Sequence, residues 1–397
     1  MTKKSKNKPL EYPGTIVISQ QSTTKERPHR QERLSCCPAL LVIGPITAMQ
    51  DMETTATIEE KIEPIPTDVA IKKIQQDPAN SGMTDIFYPG NHEAEMCYGG
   101  EADLHKHVTG CKKNPGHKGF IPLKYFNSSC LPSRYHDDDL MSKTIKTLAA
   151  LTVQVKTKFT SLKRPEFYTD TQVPYPFYND RGRHVLRLGT GRVESVYKYT
   201  ESDRRGTCHC AKCQVSATPS KVWGMVRVVT AKHVVFDDSE ARQTRCVLGF
   251  DDNKSPGVSL DGWEVVGGAY IERDWCVLNY VTCDLDKLEL VDELDKMFDR
   301  FNGLCREVKK KYRRLGDVDK LTVIVSHPHG CPKQVSVGQW THTLESDFRH
   351  TRYWYTTCTC PGSSGAPVYR LGYGGWSYHH SHSGSNSEGN YSGEWQY

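Results

Sequence analysis

From residue 184 onward, apolar and polar positions alternate in short runs separated by Gly, Pro, Asn and Asp. That is the pattern of half-buried strands joined by turns. The runs are His184 to Val193, Val222 to Val235, Thr244 to Phe250, Gly262 to Ile271 and Asp274 to Val281. They continue through Leu321 to Ser326, Gln334 to Gly338, Arg352 to Thr357, Ala366 to Leu371 and Trp376 to His382. So many short strands predict a mainly β protein, a barrel or a sandwich. Two stretches change period. From Asp137 to Val155, acidic residues open a run in which Leu140, Met141, Ile145, Leu148, Leu151 and Val155 recur at near-helical spacing. From Asp286 to Arg314, residues Val291, Leu294, Phe298, Phe301, Leu304 (or Cys305), Val308 and Tyr312 fall three or four apart. This predicts an amphipathic helix with a basic C-terminal end and Asn302-Gly303 as a point of interruption. Its stripe serves packing on its own domain, or else a protein partner or self-association through 286–314.

The first part of the chain has a different texture. Residues 1–85 mix Lys, Pro, Thr, Gln and Glu with few aromatics, which predicts a largely disordered extension. Residues 86–180 hold scattered Cys and His, the first helix and an aromatic- and proline-rich link at 165–176. Residues 181–397 form the β-rich domain. The net charge of +5 over 397 residues is modest and gives no reason to expect nucleic acid. No apolar run is long enough to cross a bilayer. The run from Cys37 to Ala48 starts late for a signal peptide and is broken by Pro45, so the chain is expected to be intracellular, in the cytoplasm, with no membrane partner.

Fifteen cysteines, an odd number in clusters, favour free thiols or structural zinc over a disulfide framework. Cys208, Cys210 and Cys213 are candidate zinc ligands, with Cys246 or His209 as the fourth. Cys97, His107 and Cys111 are a weaker set, with His92 or His105 completing it. The alternative for each is a polar loop with free thiols.

Gly362-Ser363-Ser364-Gly365-Ala366-Pro367 presents a serine on a tight loop before an apolar strand. Glycines there let backbone N–H groups converge on one point, where an oxyanion can be held. A serine hydroxyl needs a base, and the base needs an orienting group. His233 ends a strand in Val229-Thr230-Ala231-Lys232-His233, and Asp274 opens another. The chain order is His, Asp, Ser.

Thr230-Ala231-Lys232-His233, Asp274-Trp275-Cys276-Val277-Leu278 and Gly362-Ser363-Ser364-Gly365-Ala366-Pro367 resemble the three signatures of trypsin/chymotrypsin-like serine proteases. Gly189-Thr190-Gly191-Arg192-Val193 and Pro328-His329-Gly330-Cys331-Pro332 are similar to further segments of intracellular and bacterial members. The resemblance covers about 184–397. It implies two six-stranded antiparallel β-barrels, with the 286–314 helix inserted between them. It implies a serine endopeptidase acting on proteins or peptides through His233 as base, Asp274 as orienter and Ser364 as nucleophile. The N–H groups of Gly362 and Ser364 would form the oxyanion hole, with no organic cofactor. Cys358 falls at the pocket base, and Trp376 and Tyr378 wall the pocket, which gives an expectation of an apolar or medium-sized side chain before the scissile bond. Ser363 replaces the aspartate of the zymogen switch, and Val234 a disulfide cysteine. The alternative is an inactive protease fold that binds peptides and carries structural zinc.

Overall fold

The computed structural model describes residues 90–98, 110–203, 206–255, 257–268, 271–347, 350–372 and 380–396. All belong to one compact unit, Asp77–Tyr397. The expected disordered extension, His105, His107, Trp376 and Tyr378 lie outside the described residues.

The architecture is mainly β, as the alternating runs predict. An eight-stranded antiparallel sheet contains β2 (Glu95–Cys97), β4 (Thr152–Thr157), β5 (Leu186–Tyr199), β6 (Trp223–Thr230), β7 (Thr244–Leu248), β8 (Val258–Asp261), β9 (Glu264–Gly267) and β10 (Cys276–Thr282). Its order is β8-β7-β4-β5-β6-β10-β9, with β2 added on β5. A nine-stranded sheet contains β1 (Asn91–His92), β3 (Ile121–Pro122), β11 (Leu321–Ser326), β12 (Gln334–Asp347), β13 (His350–Tyr355), β14 (Val368–Arg370), β15 (His382–Asn386), β16 (Gly389–Ser392) and β17 (Trp395–Gln396). Two successive antiparallel sheets in this chain order are the layout of a two-barrel trypsin-like fold. The extra strands β1, β2 and β3 all come from residues 91–122.

The first helix, α1, spans Asp139–Leu151 and is capped by Asp138, whose carboxylate accepts the N–H of Leu140. It stops earlier than the expected Val155. Thr152-Val153-Gln154-Val155 is rich in β-branched residues and alternates, so the chain turns into β4. That strand lies between β7 and β5. A domain boundary at 181 is therefore misplaced: β4 is an inner strand of the first sheet. The preceding helix and link wrap the same body.

The second helix, α2, spans Leu285–Tyr312 and joins the two sheets. Asn302-Gly303 does not interrupt it. One glycine costs a helix only about 1 kcal/mol, and the apolar stripe on either side more than offsets that. Val291, Leu294, Phe301, Cys305, Val308 and Tyr312 are buried, facing α1 and β5. The stripe predicted from spacing is thus spent on the chain's own core, and the expectation of a partner surface there loses its basis. No helix among the described residues is long and apolar enough to cross a membrane.

Candidate functional site

The loop 358–367 is fastened to the first sheet by Thr190 of β5. The N–H of Thr190 donates to the carbonyl of Ser364 (2.7 Å), and its Oγ1 donates to the carbonyl of Gly362 (2.8 Å). Gly362 and Gly365 have φ of +93° and +86°. A Cβ on Gly365 would strike the Thr190 carbonyl, so the loop needs glycine both for conformation and for close approach. Ser363 turns away from solvent to Ser326 Oγ at 3.2 Å.

His233 and Asp274 converge on this loop. His233 Nε2 lies 2.7 Å from Ser364 Oγ. Its Nδ1 lies 2.9 and 2.8 Å from the two oxygens of Asp274, and the His233 N–H donates to Asp274 at 2.9 Å. Ser383 Oγ also donates to Asp274. Burial alone would raise the Asp274 carboxyl, but His233 and the Ser383 hydroxyl hold it far below the usual carboxylate range. An ionised carboxylate on Nδ1 keeps the proton there, which leaves Nε2 free to accept from the serine.

Behind His233 sits a buried ionic cluster. Glu240 accepts from Arg164 Nε (2.7 Å), Arg164 Nη2 (2.7 Å) and Arg187 Nη2 (2.6 Å). The same arginines donate onward to the carbonyls of His233 and Val234, both at 2.9 Å. Burial pushes Glu240 up, but the two guanidinium groups prevail and bring it to about 2. The histidine turn is held by hydrogen bonds from two charged side chains, Arg164, just before the 165–176 link, and Arg187 of β5.

Residues 91–97 lie across the cleft. Asn91 and His92 pair with Ser385 and Gly384 of β15, whereas Glu95, Met96 and Cys97 pair with Leu188, Arg187 and Leu186 of β5. Between these two pairings the Glu93 carbonyl accepts from the N–H of Gly362 (2.6 Å) and of Ser364 (3.3 Å). The two N–H groups picked from sequence therefore do point at one oxygen. The Glu93 N–H donates to Ser364 Oγ at 3.1 Å and approaches the Ser383 carbonyl at 3.4 Å. The His92 ring packs on His233 with centroids 4.3 Å apart.

The Glu93 side chain is buried and fully matched. Its carboxylate meets His382 Nε2 (2.8 Å), Ser385 Oγ (3.0 Å) and the Lys113 ammonium. Lys113 also reaches Thr359 Oγ1 (3.1 Å) and Asn390 Oδ1 (2.7 Å). The expectation of an apolar occupant rested on Cys358. That residue is half-buried beside Gly119, and the groups that set the polarity here are His382, Ser385 and Lys113, none of which the sequence reading singled out.

The cysteine clusters are partly as expected. Cys208, Cys210 and Cys213 come together with Cys283, all four Sγ within 4.8 Å of one another. Neither Cys246 nor His209 completes the set. Cys246 is buried on β7, and His209 packs edge-on against Trp223. Cys111 gathers His117, His329 and Cys360 rather than Cys97, which sits on β2 in the cleft. The Cys111 and Cys360 Sγ atoms are 3.5 Å apart, and Cys360 Sγ is 3.6 Å from His117 Nε2.

No family model matches the sequence. No curated protein is similar enough in sequence to match it. Solved structures that resemble it include the HtrA-type protease AlgW with a decapeptide, at 12% identity and TM-score 0.33, covering 64% of this chain and 63% of that one. The Rv3671c protease in its inactive form matches at 12% identity and TM-score 0.29, covering 65% of this chain and 90% of that one. The chain thus spans a little under two thirds of the AlgW structure. Both are proteases.

Proposed function

We propose that this protein is a serine endopeptidase. The observation that carries the reading is the chain of contacts from Ser364 Oγ to His233 Nε2 (2.7 Å) and from His233 Nδ1 to Asp274 (2.8 Å). Ser364 attacks the substrate carbonyl as its proton passes to His233 Nε2. Asp274 holds the ring and stabilises the imidazolium. The oxyanion is held by the N–H groups of Gly362 and Ser364. His233 then protonates the departing amine, and water hydrolyses the acyl-serine. No organic cofactor enters these steps.

The four-cysteine cluster and the Cys/His cluster suit structural zinc. A tetrahedral ion with a Zn–S bond of about 2.3 Å places two thiolates about 3.8 Å apart. The 3.5 and 3.8 Å from Cys283 to Cys213 and Cys210 fit that edge. Cys111, His117, His329 and Cys360 would hold a second ion, and the loop bearing Ser364 would then be anchored four residues before the serine. Zinc on unpaired thiolates fits a reducing compartment, and we place the protein inside the cell.

The test is labelling with a fluorophosphonate probe, followed by mass spectrometry. Residues 91–97 fill the cleft, so full-length protein is compared with a full-length Glu93→Lys chain, whose segment seats a second ammonium against Lys113. Ser364 is expected to label, and Ser364→Ala and His233→Ala to remove the label. Loss of such a residue lowers turnover by roughly 10⁶-fold, so the contrast is large. Absence of label in both chains would defeat the reading in favour of a peptide-binding protein on a protease fold.

A further inference from the structure

We propose that residues 91–97 are the enzyme's own substrate, that Ser364 cuts the Glu93–Ala94 bond, and that the site takes glutamate before the bond it cleaves. This rests on the endopeptidase reading above and adds to it a substrate class and a processing step.

Three independent features meet at Glu93. The first is the backbone. A peptide bound for cleavage must be extended, and it is held by strand addition to a sheet edge. Here the residues before the bond pair with β15 of one sheet, and those after it with β5 of the other. The bond between them is thus held from both sides of the cleft. The second is the carbonyl. The Glu93 oxygen is the one that both Gly362 and Ser364 N–H groups reach, at 2.6 and 3.3 Å. Of all carbonyls in the segment, it is the one whose charge, once attacked, these donors would stabilise. The third is the side chain. A buried carboxylate is costly unless paired and hydrogen-bonded. His382, Ser385 and Lys113 satisfy it, and the Tyr355 hydroxyl lies 2.7 Å from His382 Nδ1. A glutamine would lose the ionic contact, and a lysine would meet Lys113 with like charge.

The reaction balances without any further reagent but water. Ser364 Oγ bonds to the Glu93 carbonyl carbon, and its proton moves to His233. The Glu93–Ala94 C–N bond breaks, and His233 returns the proton to the Ala94 nitrogen. Water then splits the acyl-serine, releasing a Glu93 carboxylate and restoring Ser364. The products are chains 1–93 and 94–397.

Freshly purified full-length protein is incubated over a range of concentrations, and its fragments are measured by mass spectrometry and N-terminal sequencing. The expected result is a new N-terminus at Ala94, formed at a rate independent of protein concentration. The fragment is absent from Ser364→Ala and slower by at least about tenfold in Glu93→Gln, because a charge-assisted contact is lost. Fluorophosphonate labelling of the same samples separates the two readings. Ser364 labelled with the 93–94 bond intact overturns this inference and keeps the endopeptidase. Neither label nor cleavage, in wild type and in Glu93→Lys, overturns both. A rate that rises with concentration overturns the intramolecular step. Cleavage of Glu93→Gln as fast as wild type overturns the glutamate preference.

Discussion

The hydroxyl of Tyr355 lies 2.7 Å from Nδ1 of His382. Burial raises the Tyr355 hydroxyl well above its ordinary value and lowers His382 well below its own, so both are neutral near pH 7. The tyrosine therefore donates, Nδ1 accepts, and the imidazole proton sits on Nε2, facing the Glu93 carboxylate. Tyr355→Phe frees the ring to adopt the other tautomer, which presents a lone pair to that carboxylate. The expected outcome is a KM for glutamyl peptides raised about tenfold, with kcat nearly unchanged, since one hydrogen bond to a charged group is at stake. Steady-state kinetics on a peptide spanning 88–98 checks it.

Glu240 lies in a cage of two arginines, with its folded value near 2 against an ordinary 4.5. A depressed carboxylate stabilises the fold above its unfolded value and loses that contribution as pH falls through the folded one. Acid unfolding should therefore draw on Glu240 between about pH 4.5 and 2. Glu240→Gln leaves Arg164 and Arg187 buried without a counter-charge, and the expected loss is about 3–5 kcal/mol. Denaturant melts at pH 7 and pH 3 measure it. The difference between variant and wild type shrinks at the lower pH.

Thr190 Oγ1 donates to the Gly362 carbonyl and accepts the His327 N–H at 3.0 Å. Thr190→Val keeps the volume but leaves both buried groups unmatched. The expected cost is about 1–3 kcal/mol of stability. Because the loop carries the N–H groups at 362 and 364, kcat should fall more than KM changes. Thermal melts and peptide hydrolysis read the two effects separately.

Metal analysis of protein purified without chelator is expected to give two zinc ions per chain. Cys283→Ser should leave one, with the loop at 364 still able to label. Cys360→Ser should leave the other and also weaken labelling, since the Cys360 thiolate would anchor the loop that carries Ser364. A strong chelator should lower the melting temperature of wild type more than that of either variant.

His233, Asp274 and Ser364, which the structure brings within hydrogen-bond reach, could be picked out because each sits in a short segment with a local pattern: a strand end, a strand start, a glycine turn. The strand runs were legible for the same local reason. What escaped depends on distant pairing. β4 reads as the tail of a helix until it is placed between β7 and β5. Cys283 is 70 residues from Cys213, and Cys360 lies 249 residues from Cys111. Neither spacing resembles a zinc finger, so which cysteines and histidines meet could not be read from spacing. Lys113 and His382 are unremarkable in sequence. Their meaning comes only from the carboxylate that lies between them.

The segment in the cleft is joined to the rest of the chain through residues 99–109. A ligand tethered this closely competes at an effective concentration on the order of millimolar, whatever the dilution of the protein. On the proposed function, a foreign peptide must displace it at that concentration, so weak substrates are screened out by arithmetic rather than by shape. Once the tether is severed on the Glu93 side, the departing piece counts only at its bulk concentration, and the threshold for every other substrate falls with it.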